Sequence, residues 1–336
     1  SVGLVYYSTE DDAVARAGVH VYYRSLSDGS PAIASHWVKR RLSATISTPA
    51  DDGNHPEDYR EYIGLDERHN VANASWTSRH FGSAQLMVGQ AHGALTQAVA
   101  EATDESGDRY GHALAIGDFD GDGYRDLAIG APGEDDQATD DGYVAIHYGS
   151  PDGLGTRRWE RIGQTAAGAA SETDDRFGEA LAAGDFDGDG FDDLGVGVPG
   201  EDGVSSDEGA VVVFYGSPDG LLPADADVLD QGVLGLDRGT DDRFGAALAA
   251  GDFDGDGFDE LAVGAPTEDD LAFEDGNVVV LFGSSQGLSA TGWERLRLNQ
   301  AGVTEADSDR FGESLAAGDF DGDGRSDLAV GIPLRD

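Results

Sequence analysis

"GDFDGDGYRDLAIGAP", Gly117 to Pro132, places four carboxylates within nine residues: Asp118, Asp120, Asp122 and Asp126, around Gly121 and Gly123. Like charges held this close repel, so such a loop either surrounds a cation or is a solvated acidic turn. The answer depends on how often the stretch occurs and on what flanks it.

It occurs four times. "RYGHALAIGDFDGDGYRDLAIGAPGED" begins at Arg109, "RFGEALAAGDFDGDGFDDLGVGVPGED" at Arg176, "RFGAALAAGDFDGDGFDELAVGAPTED" at Arg243 and "RFGESLAAGDFDGDGRSDLAVGIPLRD" at Arg310, always 67 residues apart. A second shared stretch follows in three units: "GYVAIHYGSPDGL" from Gly142, "GAVVVFYGSPDGL" from Gly209 and "GNVVVLFGSSQGL" from Gly276. Worn copies precede these, "GVHVYYRSLSDG" from Gly18 and "GSAQLMVGQAHGAL" from Gly82, and "SHWVK" at Trp37 matches "RRWER" at Trp159 and "TGWER" at Trp293. A fixed long period takes priority over local readings.

Each unit reads as four short strands: "FGEALAAGD", "DLGVGVP", "AVVVFYG" and a less regular fourth around the Trp positions. The runs are rich in Val, Ala, Leu and aromatics and bounded by Gly, Pro and Asp, and none carries a helical apolar stripe. Four strands in a unit of constant length describe a β-propeller blade; a linear β-solenoid, whose coils are shorter, is the alternative. The expected class is all-β, a propeller of four-stranded blades. One domain would fill 1–336, with degenerate repeats over 1–108 and well-formed ones over 109–336. Pairing the two ends would close the ring with about five blades and remove its open edges.

The "FG … DxDxDGxxDL … GAP" pattern resembles the FG-GAP repeat of integrin α-subunit propellers and their bacterial relatives, almost throughout from Arg109 onward. Animal members of that family are typically seven-bladed and disulfide-bonded. This chain has no cysteine, which points to a bacterial-type member and leaves six or seven blades open.

Between two strands the loop offers side-chain oxygens at positions 1, 3, 5 and 9 and a carbonyl at position 7. Oxygen-only multidentate ligation suits Ca²⁺, which takes 6–8 such donors. Glycine permits the tight turn. An EF-hand begins alike but needs Glu at position 12 between helices; position 12 here is Ile129, between strands. The candidate ligands, which also match the family pattern, come in four sets. They are Asp118, Asp120, Asp122, the Tyr124 carbonyl and Asp126; then Asp185, Asp187, Asp189, the Phe191 carbonyl and Asp193. The third set is Asp252, Asp254, Asp256, the Phe258 carbonyl and Glu260, and the fourth Asp319, Asp321, Asp323, the Arg325 carbonyl and Asp327. Glu260 is longer than its counterparts, so the third site is expected to differ. "DDGNHPED", residues 51–58, has lost the spacing and is expected to bind nothing. Because each set fills from one loop, a structural role for about four Ca²⁺ ions is expected.

The formal charge is −45, and four such ions would offset only eight units of it. The remaining acidity argues against nucleic acid and anionic lipid as partners and suggests a salt-adapted surface. Residues 1–100 carry a net charge of only −3 and hold six of the eight histidines, so the two parts meet different surroundings. No apolar run reaches the roughly 18 residues of a membrane span. The "SVGLVYY" start lacks Met, which is compatible with a processed, secreted chain.

The recurring Arg of "DRFG" reads as an inter-blade salt bridge, and the "GEDD"-type loops (134–136, 201–202, 268–270) as a solvated acidic face opposite the metal loops. Trp37 fits core packing, whereas Trp76, without a repeat counterpart, is a candidate binding residue. There is no G-x-S-x-G, no H-E-x-x-H and no phosphate-cradling loop. The expectation is a non-catalytic, extracellular adhesion module, with a protein or glycan partner held on the face that the family resemblance places opposite the metals. The alternatives are the propeller of a secreted enzyme acting on polysaccharide or lipid, and a purely structural domain of a larger surface protein.

Overall fold

The structure, a computed structural model, describes the backbone of residues 65–66, 73–78, 85–88 and 94–96. With side chains it describes 107–151, 153–154, 158–269, 273–301 and 307–333. The expectations placed on residues 1–64, on Trp37, on the 51–58 loop and on the Trp76 side chain lie outside the described residues. The chain divides into two compact units, Ser1–Ser75 and Trp76–Asp336.

In the first unit β1 (Leu65–Asp66) pairs antiparallel with the start of β2 (Asn73–Ser78), Leu65 opposite Ala74. In the second, β3 (Gln85–Val88) pairs with β4 (Ala94–Thr96). Three complete antiparallel meanders follow. They are β5 (Leu114–Gly117), β6 (Asp126–Ala131), β7 (Tyr143–His147) and β8 (Trp159–Ile162); then β9 (Leu181–Gly184), β10 (Asp193–Val198), β11 (Ala210–Tyr215) and β12 (Leu222–Asp230). The third is β13 (Ala247–Gly251), β14 (Glu260–Ala265), β15 (Asn277–Leu281) and β16 (Trp293–Leu296). β17 (Leu315–Gly318) and β18 (Asp327–Val330) form a two-stranded sheet. The fold is all-β, with consecutive four-stranded sheets of the propeller type.

The first strands β5, β9, β13 and β17 lie against one another in sequence order, so each sheet packs face to face on the next. Both faces of a middle sheet are therefore buried, and its strands read as continuous apolar runs instead of alternating ones. Alternate residues of β11 serve different neighbours. Val212 and Phe214 pack with Val144 and Ile146 of the preceding sheet, Val211 and Val213 with Leu261 and Val263 of the following one. Each such side chain contributes about 1.5–3 kcal/mol relative to exposure.

The first strand of each sheet starts later than the apolar run suggests, at Leu181 and not at Phe177. Arg176 (φ 59°) and Gly178 (φ 88°) are left-handed and turn the chain here. Phe177 is fully buried and donates its N–H to the Asp141 carbonyl of the preceding repeat at 2.8 Å. Phe244 and Phe311 bond to the Glu208 and Asp275 carbonyls in the same way. A Cβ on Gly197 would sit 2.0 Å from the Gly245 carbonyl oxygen, and one on Gly130 2.2 Å from that of Gly178. The glycine of "GAP" in one repeat is thus the surface on which the "FG" backbone of the next repeat lies, a close approach only glycine allows.

Candidate metal centres

In the meander, every loop between first and second strands emerges at one end of the sheets, and every loop between second and third strands at the other. The loop from β9 to β10 shows how the first kind is held. Gly188 and Gly190 adopt φ 72° and 94°, which turns consecutive amides inward. Asp185 Oδ1 accepts from the N–H of Gly188 (2.7 Å) and of Asp189 (3.1 Å), and its Oδ2 from that of Gly190 (3.1 Å). Asp187 accepts from the Asp189 N–H and Asp189 from the Phe191 N–H, each at 3.0 Å. Asp252 and Asp319 repeat the pattern of Asp185, and the glycines of the other loops are left-handed as well.

The carboxylate at position 9 is anchored differently. Asp193 Oδ2 accepts from the Phe186 N–H and Oδ1 from the Gly216 N–H, both at 2.8 Å. Asp126 does the same with Phe119 and Gly149, and Asp327 accepts from Phe320 at 2.9 Å. Glu260 takes the Phe253 and Asp254 N–H groups on one oxygen, Oε2, with the Gly283 amide also acting on the carboxylate. The longer side chain gathers two amides on one oxygen, yet it joins the same position 1, 3 and 9 trio as its counterparts.

In each loop three carboxylates present oxygens within 4.8 Å of one another: Asp118, Asp120 and Asp122; Asp185, Asp187 and Asp193; Asp252, Asp254 and Glu260; Asp319, Asp321 and Asp327. Positions 1, 3 and 9 thus converge in the last three loops, while the exposed Asp189, Asp256 and Asp323 stand outside the trio. In the first loop Asp122 joins the trio in place of Asp126. Tyr124, Phe191, Phe258 and Arg325 each follow the second glycine, with the backbone N–H tied to the position 5 carboxylate.

Burial drives the electrostatics. Asp126 is pushed up to about 7, Asp193 to about 8 and Glu260 to about 7. Desolvation is the largest cause; the backbone amides oppose it, and the neighbouring loop carboxylates add repulsion. Asp118 Oδ1 is a buried oxygen without a partner. Crowded hard oxygens, an unmet acceptor and repelling carboxylates all fit a divalent cation such as Ca²⁺.

Position 8 is not one of the residues singled out from the sequence, yet it joins the loops. Asp192 accepts from the Asp118 N–H at 2.8 Å and pairs with Arg125, and Asp259 accepts from the Asp185 N–H at 3.0 Å. The return bonds run from the N–H of Asp192, Asp259 and Ser326 to the carbonyls of Asp118, Asp185 and Asp252. Phe191, Phe258 and Arg325 each lie over the first glycine of the preceding loop. The signal was the doubled acid in "FDD" and "FDE"; its target was invisible without the neighbouring sheet.

At the other end, Arg109 pairs with Glu179 of the next repeat at 2.5 Å and Arg310 with Glu274 of the preceding one at 3.1 Å; among the described residues Arg176 and Arg243 form no such ion pair, so the inter-sheet bridge expected of every repeat is made in only some of them. The Asp before Arg176 and before Arg243 acts separately: Asp175 caps the Glu172 N–H and Asp242 that of Gly239. The acidic loops are folded as well as solvated. Asp141 accepts the N–H groups of Asp136, Gln137 and Ala138, and Glu208 those of Val204 and Ser205. Trp293 is half-buried and donates Nε1–H to the Leu234 carbonyl at 3.1 Å, a packing role. No helix among the described residues is long and apolar enough to cross a membrane.

A family model described as "FG-GAP repeat" matches residues 110–147, 177–214, 244–281 and 311–336. Phosphatidylinositol-glycan-specific phospholipase D of Mus musculus is 39% identical over 166 residues, 47% of this chain and 18% of the relative. Integrin alpha-PS2 of Drosophila melanogaster is 35% identical over 49% of this chain and 12% of its own length. Integrin alpha pat-2 of Caenorhabditis briggsae is 30% identical over 67% of this chain and 18% of its own length. The chain therefore spans less than a fifth of each of these relatives.

Proposed function

We propose, from the premise that this chain is an FG-GAP repeat domain of the propeller type, that it is a calcium-stabilised binding module working outside the cell. The observation that carries the reading is the four carboxylate loops of one design, projecting from one end of the sheets and stitched to one another. The residues that would hold the ions are those at positions 1, 3, 5 and 9 with the position 7 carbonyl. A bound Ca²⁺ would supply the positive charge that these oxygens lack. Position 8 residues then transmit order from loop to loop. The end carrying the 132–142 and 199–209 loops stays free for a partner, a protein or a glycan.

The similarity to integrin alpha chains favours adhesion or ligand binding without catalysis. The similarity to a phospholipase D favours a second reading, in which the repeats accompany an enzyme acting on lipid or polysaccharide. The net charge of −45 weighs against nucleic acid in either case. The test is retention on arrays of glycans and matrix-type proteins with calcium present, with turnover followed in the same samples. Calcium-dependent retention without turnover supports the module. Turnover that survives purification replaces it with the enzyme reading.

A further inference from the structure

The geometry points to Arg158 as a built-in cation of the first loop, one that competes with the metal there and makes this site the weakest of the four. The inference rests on the metal reading above and goes beyond it to the differences among the sites. Arg158 Nη1 pairs with Asp120 Oδ2, and Nη2 donates to the Asp219 carbonyl of the next repeat at 2.8 Å. Its guanidinium lies 3.8 Å from the centre of the Tyr148 ring. The second and third of these repeats have Asp225 and Gly292 at the matching positions, and among the described residues Asp187, Asp254 and Asp321 have no ion pair. Asp120 is also the most buried of the position 3 carboxylates, 7% exposed, while the Arg158 side chain is 47% exposed, so water screens the pair from the guanidinium side only.

A cation entering this loop must share or displace the guanidinium on Asp120, whereas in the other three loops it meets carboxylates held only by amides. The position 9 residue is also missing from the converging trio only here, so this loop is the one arranged around a different cation. Arg158 spans two repeats through Asp120 and Asp219. Metal entry therefore also loosens one tie between the first and second sheets, and the first site reports on that junction. Losing a charge-assisted bond of this kind corresponds to roughly ten- to a hundredfold in affinity.

The test is a calcium titration of the EDTA-stripped protein by calorimetry, comparing the wild type with Arg158→Gln and with Arg158→Met, which keeps the aliphatic packing on Tyr148. The expected result is three tight sites and one weaker site in the wild type, the weak site tightening about tenfold or more in both variants. Adding Asp122→Asn to Arg158→Met should remove the tightened site alone. Four equal sites in the wild type, or a weak site indifferent to both substitutions, would overturn the proposal while leaving the metal reading intact. Absence of any stoichiometric binding in all three proteins would overturn the metal reading, and this inference with it.

Discussion

At the scale of single residues, the buried position 9 carboxylates make the metal reading testable through pH. Asp193 is raised to about 8, and Asp126 and Glu260 to about 7. A carboxyl whose folded pKa lies above its unfolded value binds its proton more tightly when folded. Its favourable contribution is therefore complete at low pH and lost as pH rises through the folded pKa. The EDTA-treated protein should gain thermal stability as pH falls from 8.5 to 6. With excess calcium the trend should flatten or reverse, since protons then compete with the ion. Differential scanning fluorimetry at several pH values checks this, and parallel curves with and without calcium would contradict it. The candidate ligands were legible because Asp and Gly spacing is a local property of the chain. Asp192 and Arg158 were not legible as linkers, since their partners are set by how one sheet lies on the next.

At the scale of the elements, the glycine before the Pro of each repeat joins sheet to sheet, and so do the ion pairs of Arg109 and Arg310. Gly197→Ala would drive a Cβ to 2.0 Å from the Gly245 carbonyl, and backbone cannot rotate away as a side chain would. A loss of about 1–3 kcal/mol is expected, read as a lower midpoint in chemical denaturation with an unchanged slope; a neutral substitution would mean the sheets can slide apart. Glu179 provides a second check. Burial pushes it up, but hydrogen bonds and charge from His112 and Arg109 outweigh this and hold it at about 2. A lowered carboxylate stabilises above its unfolded pKa and loses that contribution as pH falls toward the folded value. Glu179→Gln should therefore cost about 1–2 kcal/mol near pH 6, and the gap to wild type should close as pH drops from 4.5 toward 2. Strand identity was readable from apolar runs bounded by Gly and Asp. The strand starts were not, because "RFGEA" is apolar enough to extend the run while Arg176 and Gly178 turn the chain.

At the scale of the whole molecule, two kinds of cation act on one charge of −45, and they are separable. Sodium ions screen the exposed carboxylates over a Debye length that falls from about 10 Å at 0.1 M to about 3 Å at 1 M. A calcium ion held by partly buried oxygens is screened much less, and occupancy at 100 times its dissociation constant adds about 2.7 kcal/mol per site. In EDTA, the melting temperature should rise with NaCl and level off near 1 M, since only diffuse repulsion is being removed. Calcium at millimolar concentration should add several degrees at low salt, and a smaller but distinct increment should persist at 1 M NaCl. Magnesium at the same concentration should reproduce less of that increment, because it demands near-ideal octahedral geometry that a flexible five-donor loop does not impose. If NaCl alone reached the same plateau with and without calcium, the loops would be part of a salt-adapted surface and the binding-module reading would lose its metal. The period of 67 residues made the repeated part of the molecule, 109–336, legible from the sequence, because a repeat must bury its faces against copies of itself. The sequence gives no such internal template for residues 1–64, where the copies are worn. Persistence of the calcium increment at high salt is therefore the measurement that ties the repeated part to a specific ion instead of to charge in general.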